Sequence, residues 1–290
     1  MFCIFYNTIS LQNIMEKRKK STKLYRLLRF PIEESGFTSL ITYTKSTVET
    51  QILPLIEKIS EEFLHTKGHL YVIGIAGPPG SGKSSFSCVF RQLLTERGLN
   101  AFLLPLDGFH LKNEQLKKTS ITVDGRNRSL LDLKGAKETY DVEKLVQYME
   151  KLYSGKSFYW PVYLRTIHEP VEEGIFVTPE GSIYIIEGNY LFLDLPLWKD
   201  LIHFFHTRLF LLPKRKYLKR KIMKRKRRGG YTRIEALHHF RRSDLRNINE
   251  VLSQSTGYDF LIRQKSKHSY LVEEAFPPAS IKGNPDRPLT

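Results

Sequence analysis

Val72-Ile73-Gly74-Ile75-Ala76-Gly77-Pro78-Pro79-Gly80-Ser81-Gly82-Lys83-Ser84-Ser85 is an apolar run that breaks into a glycine-rich turn and resumes as helix-like sequence. Gly77, Gly82, Lys83 and Ser84 fit the spacing G-x-x-x-x-G-K-[ST], whose glycines let successive backbone N–H groups point into one concavity sized for a phosphate. The helix that starts near Lys83 turns its positive dipole end toward the same spot. The expectation is a nucleotide-phosphate loop formed by Gly77, Pro78, Pro79, Gly80, Ser81, Gly82, Lys83, Ser84 and Ser85. Lys83 should reach the β- and γ-phosphates of ATP, and the Ser84 hydroxyl should ligate the Mg2+ that rides on them. The flanks agree, since Leu70 to Ala76 reads as a buried strand and Ser84 to Leu94 as an amphipathic helix.

Outward from this loop, Thr47 to His65 carries apolar residues at helical spacing, and Ala101 to Leu106 reads as a second strand. A strand, loop, helix and strand in that order predict a right-handed crossover and a parallel sheet. The second strand runs into Asp107-Gly108-Phe109-His110, so Asp107 falls where ligands sit in open α/β sheets, outside the carboxyl end of a strand. It could serve there as a base or substrate anchor, or cap a helix, or touch Mg2+ indirectly.

Leu111 to Tyr140 is of mixed polarity and reads as an excursion over the sheet edge, followed by a helix over Val142 to Tyr153 and an extended segment over Phe158 to Val177. Ser182 to Ile186 is a short apolar strand that ends in Glu187-Gly188-Asn189-Tyr190. A carboxylate ending such a strand suits the orientation of Mg2+-bound water, although Asp is the usual residue, and an ordinary strand-end carboxylate is the alternative. Leu209 to Leu212 reads as another strand, Lys214 to Arg228 as a helix closed by Gly229-Gly230, and Phe260 to Ile262 and Tyr270 to Val272 as short strands after further helical sequence.

A chain of 290 residues is long enough for one large α/β domain with a sizeable core. Two cysteines are too few for a disulfide framework and lack metal-ligand spacing, so nothing argues for zinc. No stretch approaches the roughly 18 apolar residues of a membrane-spanning helix. The net charge of +16 is local: Lys214 to Arg228 holds eleven basic residues and no acid, and Lys17 to Lys23 holds five more. The expected organisation is a basic, flexible leader over 1–44, a nucleotide-binding domain over 45–272 with its basic stretch at about 214–230, and a flexible tail over 273–290. The expected compartment is the cytoplasm, with organelle targeting through the basic N-terminal arm as the alternative. No oligomeric state is read from the sequence.

In order and spacing these motifs resemble the P-loop small-molecule kinases that include uridine kinase, phosphoribulokinase and bacterial pantothenate kinase. Within that family the likeness is to the nucleoside-kinase-like and fructokinase-like branch. It runs from about Ile52 to about Leu271 and rests on the phosphate loop, Asp107-Gly108-Phe109-His110, Lys134-Gly135-Ala136 with Glu138-Thr139-Tyr140-Asp141, Pro161-x-Tyr163 with His168, Glu187-Gly188-Asn189-Tyr190-Leu191, and a basic lid with Asp244-x-x-Asn247. The resemblance implies an α/β P-loop NTPase fold, a parallel five-stranded sheet flanked by helices with a basic lid. It implies ATP- and Mg2+-dependent transfer to a hydroxyl of a small-molecule acceptor, with Asp107 as base and Lys83 and Arg225 assisting.

Arg220, Arg225 and Arg228 are then the lid candidates for ATP, and Ser84 and Glu187 the residues for the metal. His110, Lys134, Tyr163, Arg165, His168 and Asn189 are candidates for the acceptor. A buried structural role for His168 stays open, and Arg165, Lys134, Arg126 and Arg128 could equally be surface charges. Two positions depart from the pattern: Lys137 stands where the branch usually has Pro, and Leu164 where uridine kinases have Asp. Eleven lid cations exceed what closing over ATP requires. A nucleic-acid-associated ATPase using residues 214–228 is therefore the alternative reading.

Overall fold

In a computed structural model of the chain, residues 27–275 are described except 35–36, 67–68, 124 and 180. The chain begins with strands β1 (Leu27–Glu34) and β2 (Phe37–Thr44), an antiparallel pair. A single turn α1 (Lys45–Thr47), capped by the Thr44 hydroxyl, leads through a π-type turn (Val48–Ile52) into helix α2 (Leu53–His65). Strand β3 (Leu70–Ala76), the phosphate loop, helix α3 (Lys83–Thr95) and strand β4 (Ala101–Pro105) follow as expected. The excursion holds helix α4 (Asn113–Lys118) and the hairpin β5 (Ser120–Val123) and β6 (Arg126–Ser129). Helix α5 (Val142–Tyr153) precedes a second hairpin, β7 (Phe158–Leu164) and β8 (Glu169–Val177). Strand β9 (Ser182–Gly188), strand β10 (Thr207–Leu212) and helices α6 (Arg215–Arg228), α7 (Arg233–His239) and α8 (Leu245–Gln254) come next, and strands β11 (Phe260–Gln264) and β12 (Tyr270–Glu274) close the described chain.

The main sheet runs in the order β12-β11-β10-β3-β9-β4. It has five parallel strands, and β12 adds a sixth, antiparallel to β11. Strand sequence explains why this sheet is covered on both faces. Along β3, Tyr71, Ile73 and Ile75 pack toward α2 and α3, while Val72 and Ala76 pack toward α5 and the segment after β9. Ile183 and Ile185 against Tyr184 and Ile186 repeat that alternation on β9.

One correction concerns the leader. Residues 1–26 lie outside the described residues, but 27–44 are the β1–β2 hairpin, not a flexible arm. Phe30, Ile32 and Tyr43 are buried in the same core as α2 and α3. The hairpin is tied to the far sheet edge where Thr44 N–H donates to the His268 carbonyl at 2.8 Å. Of the expected tail, 273 and 274 belong to β12, and 276–290 lie outside the described residues.

Candidate active site

Three neighbouring parallel strands end at one place. Ile75 of β3 is in register with Glu187 of β9, and Glu187 with Pro105 of β4, so the phosphate loop, Glu187 and Asp107 all leave the same edge of the sheet. Gly80 and Gly82 have φ of 79° and 91°, a region open to glycine but strained for other residues, and this curls the loop back onto the N-terminus of α3. The Ser84 hydroxyl donates to Glu187 Oε1 at 3.0 Å, and Lys83 Nζ lies 3.8 Å from Glu187 Oε2. Both partners of that ion pair are mostly enclosed.

Asp107 sits in a single 3-10 turn, Leu106–Phe109, after β4. A Cβ on Gly108 would lie 2.0 Å from the Pro161 carbonyl oxygen, so only glycine lets β7 lie against this turn. Trp160 of β7 donates to the Pro105 carbonyl at 3.0 Å and packs edge-on against Phe109. The D-G-F sequence is thus a seat for the β7–β8 hairpin that fixes the carboxylate. Tyr140 donates to Asp107 Oδ1 at 3.2 Å, and its ring stacks on His110 with centroids 3.9 Å apart.

Burial alone would raise the Asp107 pKa, but the positive charges of His110, Lys83 and Arg165 and the Tyr140 hydrogen bond outweigh it and hold the carboxyl below its ordinary value. Burial lowers the His110 pKa more than Asp107 raises it. Near neutrality, then, Lys83 and Arg165 keep Asp107 ionised, and the imidazole joins them only in acid.

The expected acceptor residues come together in part. The Tyr163 ring stands edge-on to His110 at 5.4 Å, and Lys134 Nζ lies 5.1 Å above it. Burial pushes the Tyr163 hydroxyl up to about 12. Lys134 donates to the Asn113 side-chain oxygen and, at 2.7 Å, to the His168 carbonyl. His168 is exposed, with φ of 54°, so its backbone, and not a buried imidazole, makes these contacts. Glu169 accepts from Asn113 N–H and caps α4. Arg165 is exposed at the tip of the β7–β8 hairpin. Asn189 Oδ1 is enclosed with no hydrogen-bond partner among the described residues.

Sequence reasoning missed two groups of residues. The first is Lys221, whose ammonium donates to the Ser81 carbonyl at 3.2 Å and would lie 2.8 Å from a Cβ on Gly82. Desolvation lowers its pKa. Leu218 and Ile222 bury the same side of α6, and a Cβ on Gly80 would meet Ile222 at 2.8 Å. With about 3.6 residues per turn, Arg225 and Arg228 share the side of Lys221, whereas Arg220 points away from the loop. All three arginine side chains are exposed, and none forms a hydrogen bond or ion pair among the described residues. The signal that could have found Lys221 is its position one residue before Ile222, on the edge of the helix's short apolar stripe.

The second group is a network on α8. The Gly135 carbonyl accepts from Tyr190 at 2.7 Å and from Asn247 at 3.2 Å, which fixes the turn that presents Lys134. Lys137 pairs with Glu138 and Glu250, and Arg246 with Glu138 at 3.1 Å. Asp244 pairs with Lys226 of the lid at 3.2 Å. The unusual Lys137 therefore ties the Lys134 turn to α8, which begins directly after the Asp244 that pairs with α6.

A nucleotide-phosphate loop, a strand-end carboxylate, a second carboxylate on the adjoining strand and a helical cover agree with comparison to known proteins. The profile of the phosphoribulokinase/uridine kinase family matches residues 72–248. The chain belongs to that family. It is an ATP-dependent small-molecule kinase. An Escherichia coli (strain K12) protein of unassigned function, YggC, is 29% identical over 245 residues, covering 84% of this kinase and 98% of the relative. A Schizosaccharomyces pombe protein provisionally named a uridine kinase is 30% identical over 200 residues, covering 67% and 83% of the two chains. Among solved structures, a Silicibacter protein provisionally named a fructose transport system kinase is similar at 28% identity and a TM-score of 0.66, over 74% of this kinase and 98% of that chain. Among the described residues no helix is long and apolar enough to cross a membrane.

Proposed function

We propose that this kinase transfers the terminal phosphoryl group of ATP to a hydroxyl of a nucleoside, a sugar or a pantothenate-like alcohol, with Asp107 as the base. The observation that carries the reading is the shared edge of β3, β9 and β4, which puts Lys83, Glu187 and Asp107 in one cluster. Ser84 and Glu187 would hold Mg2+, and their hard oxygen donors, 3.0 Å apart, fit that ion. When bound it neutralises charge on the phosphates. The loop amides and Lys83 grip the phosphates, and Lys221 approaches from the lid to the same loop.

Tyr140 occupies Asp107 Oδ1 and leaves the second oxygen to receive the hydroxyl proton as the acceptor O–P bond forms and the bond to the departing ADP oxygen breaks. Tyr163 and His110 offer ring surfaces, and Lys134, Arg165 and Asn189 offer polar contacts for the acceptor. The provisional names of the relatives, a uridine kinase and a fructose transport system kinase, support the nucleoside and sugar classes.

The test is ATP consumption with Mg2+ in the presence of pooled nucleosides, sugars, pantothenate and related alcohols, with Lys83→Ala as the blank. Turnover that one pool stimulates and the blank abolishes supports the reading and begins to name the acceptor. Turnover indifferent to every pool would overturn it.

A further inference from the structure

The lid helix carries more charge than the active site uses. From Lys214 to Arg228 there are eleven cations, of which Lys221 reaches the phosphate loop and Lys226 pairs with Asp244. Beyond α6, Arg233, Arg241 and Arg242 follow, with Arg246 paired to Glu138, and the only acids between Lys214 and Asn249 are Glu235 and Asp244. Neither acid relieves the outer face, because Asp244 is buried on Lys226 and Glu235 caps α7 through the Thr232 N–H. Lys216, Arg220, Lys224 and Arg227 recur at one side of α6, opposite the Leu218 and Ile222 stripe, and all four are exposed.

This arrangement opposes helix formation. Lys216 with Arg220 and Arg220 with Lys224 are like charges four apart, and the first turn holds cations where the helix dipole is already positive. An anionic partner at least as long as α6, about 20 Å, would relieve both. Just past the helix, at the start of α7, Ile234 is 81% exposed, the highest exposure of the large apolar residues described. An aliphatic side chain standing out next to a basic helix suits the boundary between lipid headgroups and acyl chains, whereas a phosphate backbone has no use for a bare isoleucine.

We propose that the outer face of α6, with Ile234, is a docking surface for an anionic lipid bilayer. Charge attracts the lid, and Ile234 enters the interface. The proposal is independent of the acceptor's identity and of Asp107.

The test is co-sedimentation of the full chain with vesicles of phosphatidylcholine alone or with about a third phosphatidylserine, at low and high salt. The expected result is binding to the phosphatidylserine vesicles only, lost at high salt. The triple variant Lys216→Glu, Lys224→Glu, Arg227→Glu removes three of the attracting charges and should weaken it by about a hundredfold or more. Ile234→Ser should weaken it several-fold while leaving its salt dependence unchanged. Binding of a fluorescent ATP analogue, unchanged in both variants, shows that they are folded. Three results would overturn the proposal: no vesicle binding at low salt, vesicle binding unaltered in the triple variant, or binding of duplex DNA or RNA without vesicle binding.

Discussion

The edge of the sheet and the helix that covers it are built on opposite electrical terms. At the edge, charges meet partners: Lys83 faces Glu187, Ser84 donates to Glu187, and Asp107 is held by Tyr140 under the influence of Lys83 and Arg165. Above it, α6 gathers cations, of which Lys221 donates to the Ser81 carbonyl and Lys226 pairs with Asp244. The edge is placed by strand register and close packing. The cover is held by Leu218 and Ile222, with Met223 beside them, against Phe240 and Ile248, together with the ion pair from Lys226 to Asp244 just before α8. The edge is thus a close-packed floor and α6 a charged cover lying on it.

The floor is easiest to break at Gly108. Gly108→Ala places a methyl group against the Pro161 carbonyl, and the expected loss is about 3 kcal/mol or more, read by denaturant unfolding. A variant as stable as the wild type would show that the β7 seat is not rigid. Next comes the link between floor and cover. Glu250→Gln breaks the pair with Lys137 and should cost about 1–2 kcal/mol. A double-mutant cycle with Lys137→Met separates that pair from general damage.

Lys221→Met tests the point where cover meets floor. It should raise the KM for ATP about tenfold, equivalent to the roughly 1.4 kcal/mol of one charged contact, with the fold intact. Arg220→Met, on the far side of α6, should change that KM little, and the pair of variants sharpens the register argument.

The smallest expected effect is electrostatic. The Asp107 pKa is lowered, so the charged form is present above the ordinary carboxylate value, and both its stability contribution and its activity are lost only as pH falls through the depressed value. Removing one of the cations that lower it, Arg165→Ala, should move the acid limb of the pH–rate profile to higher pH.

The floor was legible in the sequence and the cover only in outline, for a physical reason. Gly77 to Ser84 is a local motif: its glycines, lysine and hydroxyl act through backbone that they share, and the flanking apolar runs of β3 and β9 have no solvent face to confuse them. The placement of Asp107 and Glu187 beside the phosphate loop followed from the ends of the strands that carry them. The hairpin of 27–44 was not legible, because its burial depends on α3 and on His268, far along the chain, and Pro31 interrupts a strand whose alternation is short. The register of α6 was equally hidden, since a helix with cations on every side does not say which one faces the nucleotide. Lys137 looked like a lost proline until Glu250, 113 residues away, supplied its partner. Even the sixth strand, β12, reads as a mere two or three apolar residues before pairing with β11 shows what it does.

The central claim is that Asp107 takes the proton from an acceptor hydroxyl on a phosphate-binding floor that works without it. The most direct measurement compares Asp107→Asn with the wild type for binding of ATP with Mg2+ and for single-turnover transfer of labelled γ-phosphate to the acceptor that the pooled assay identifies. The account predicts nucleotide affinity within about threefold of wild type and transfer slowed by about a hundredfold or more. Transfer at the wild-type rate by Asp107→Asn would contradict it.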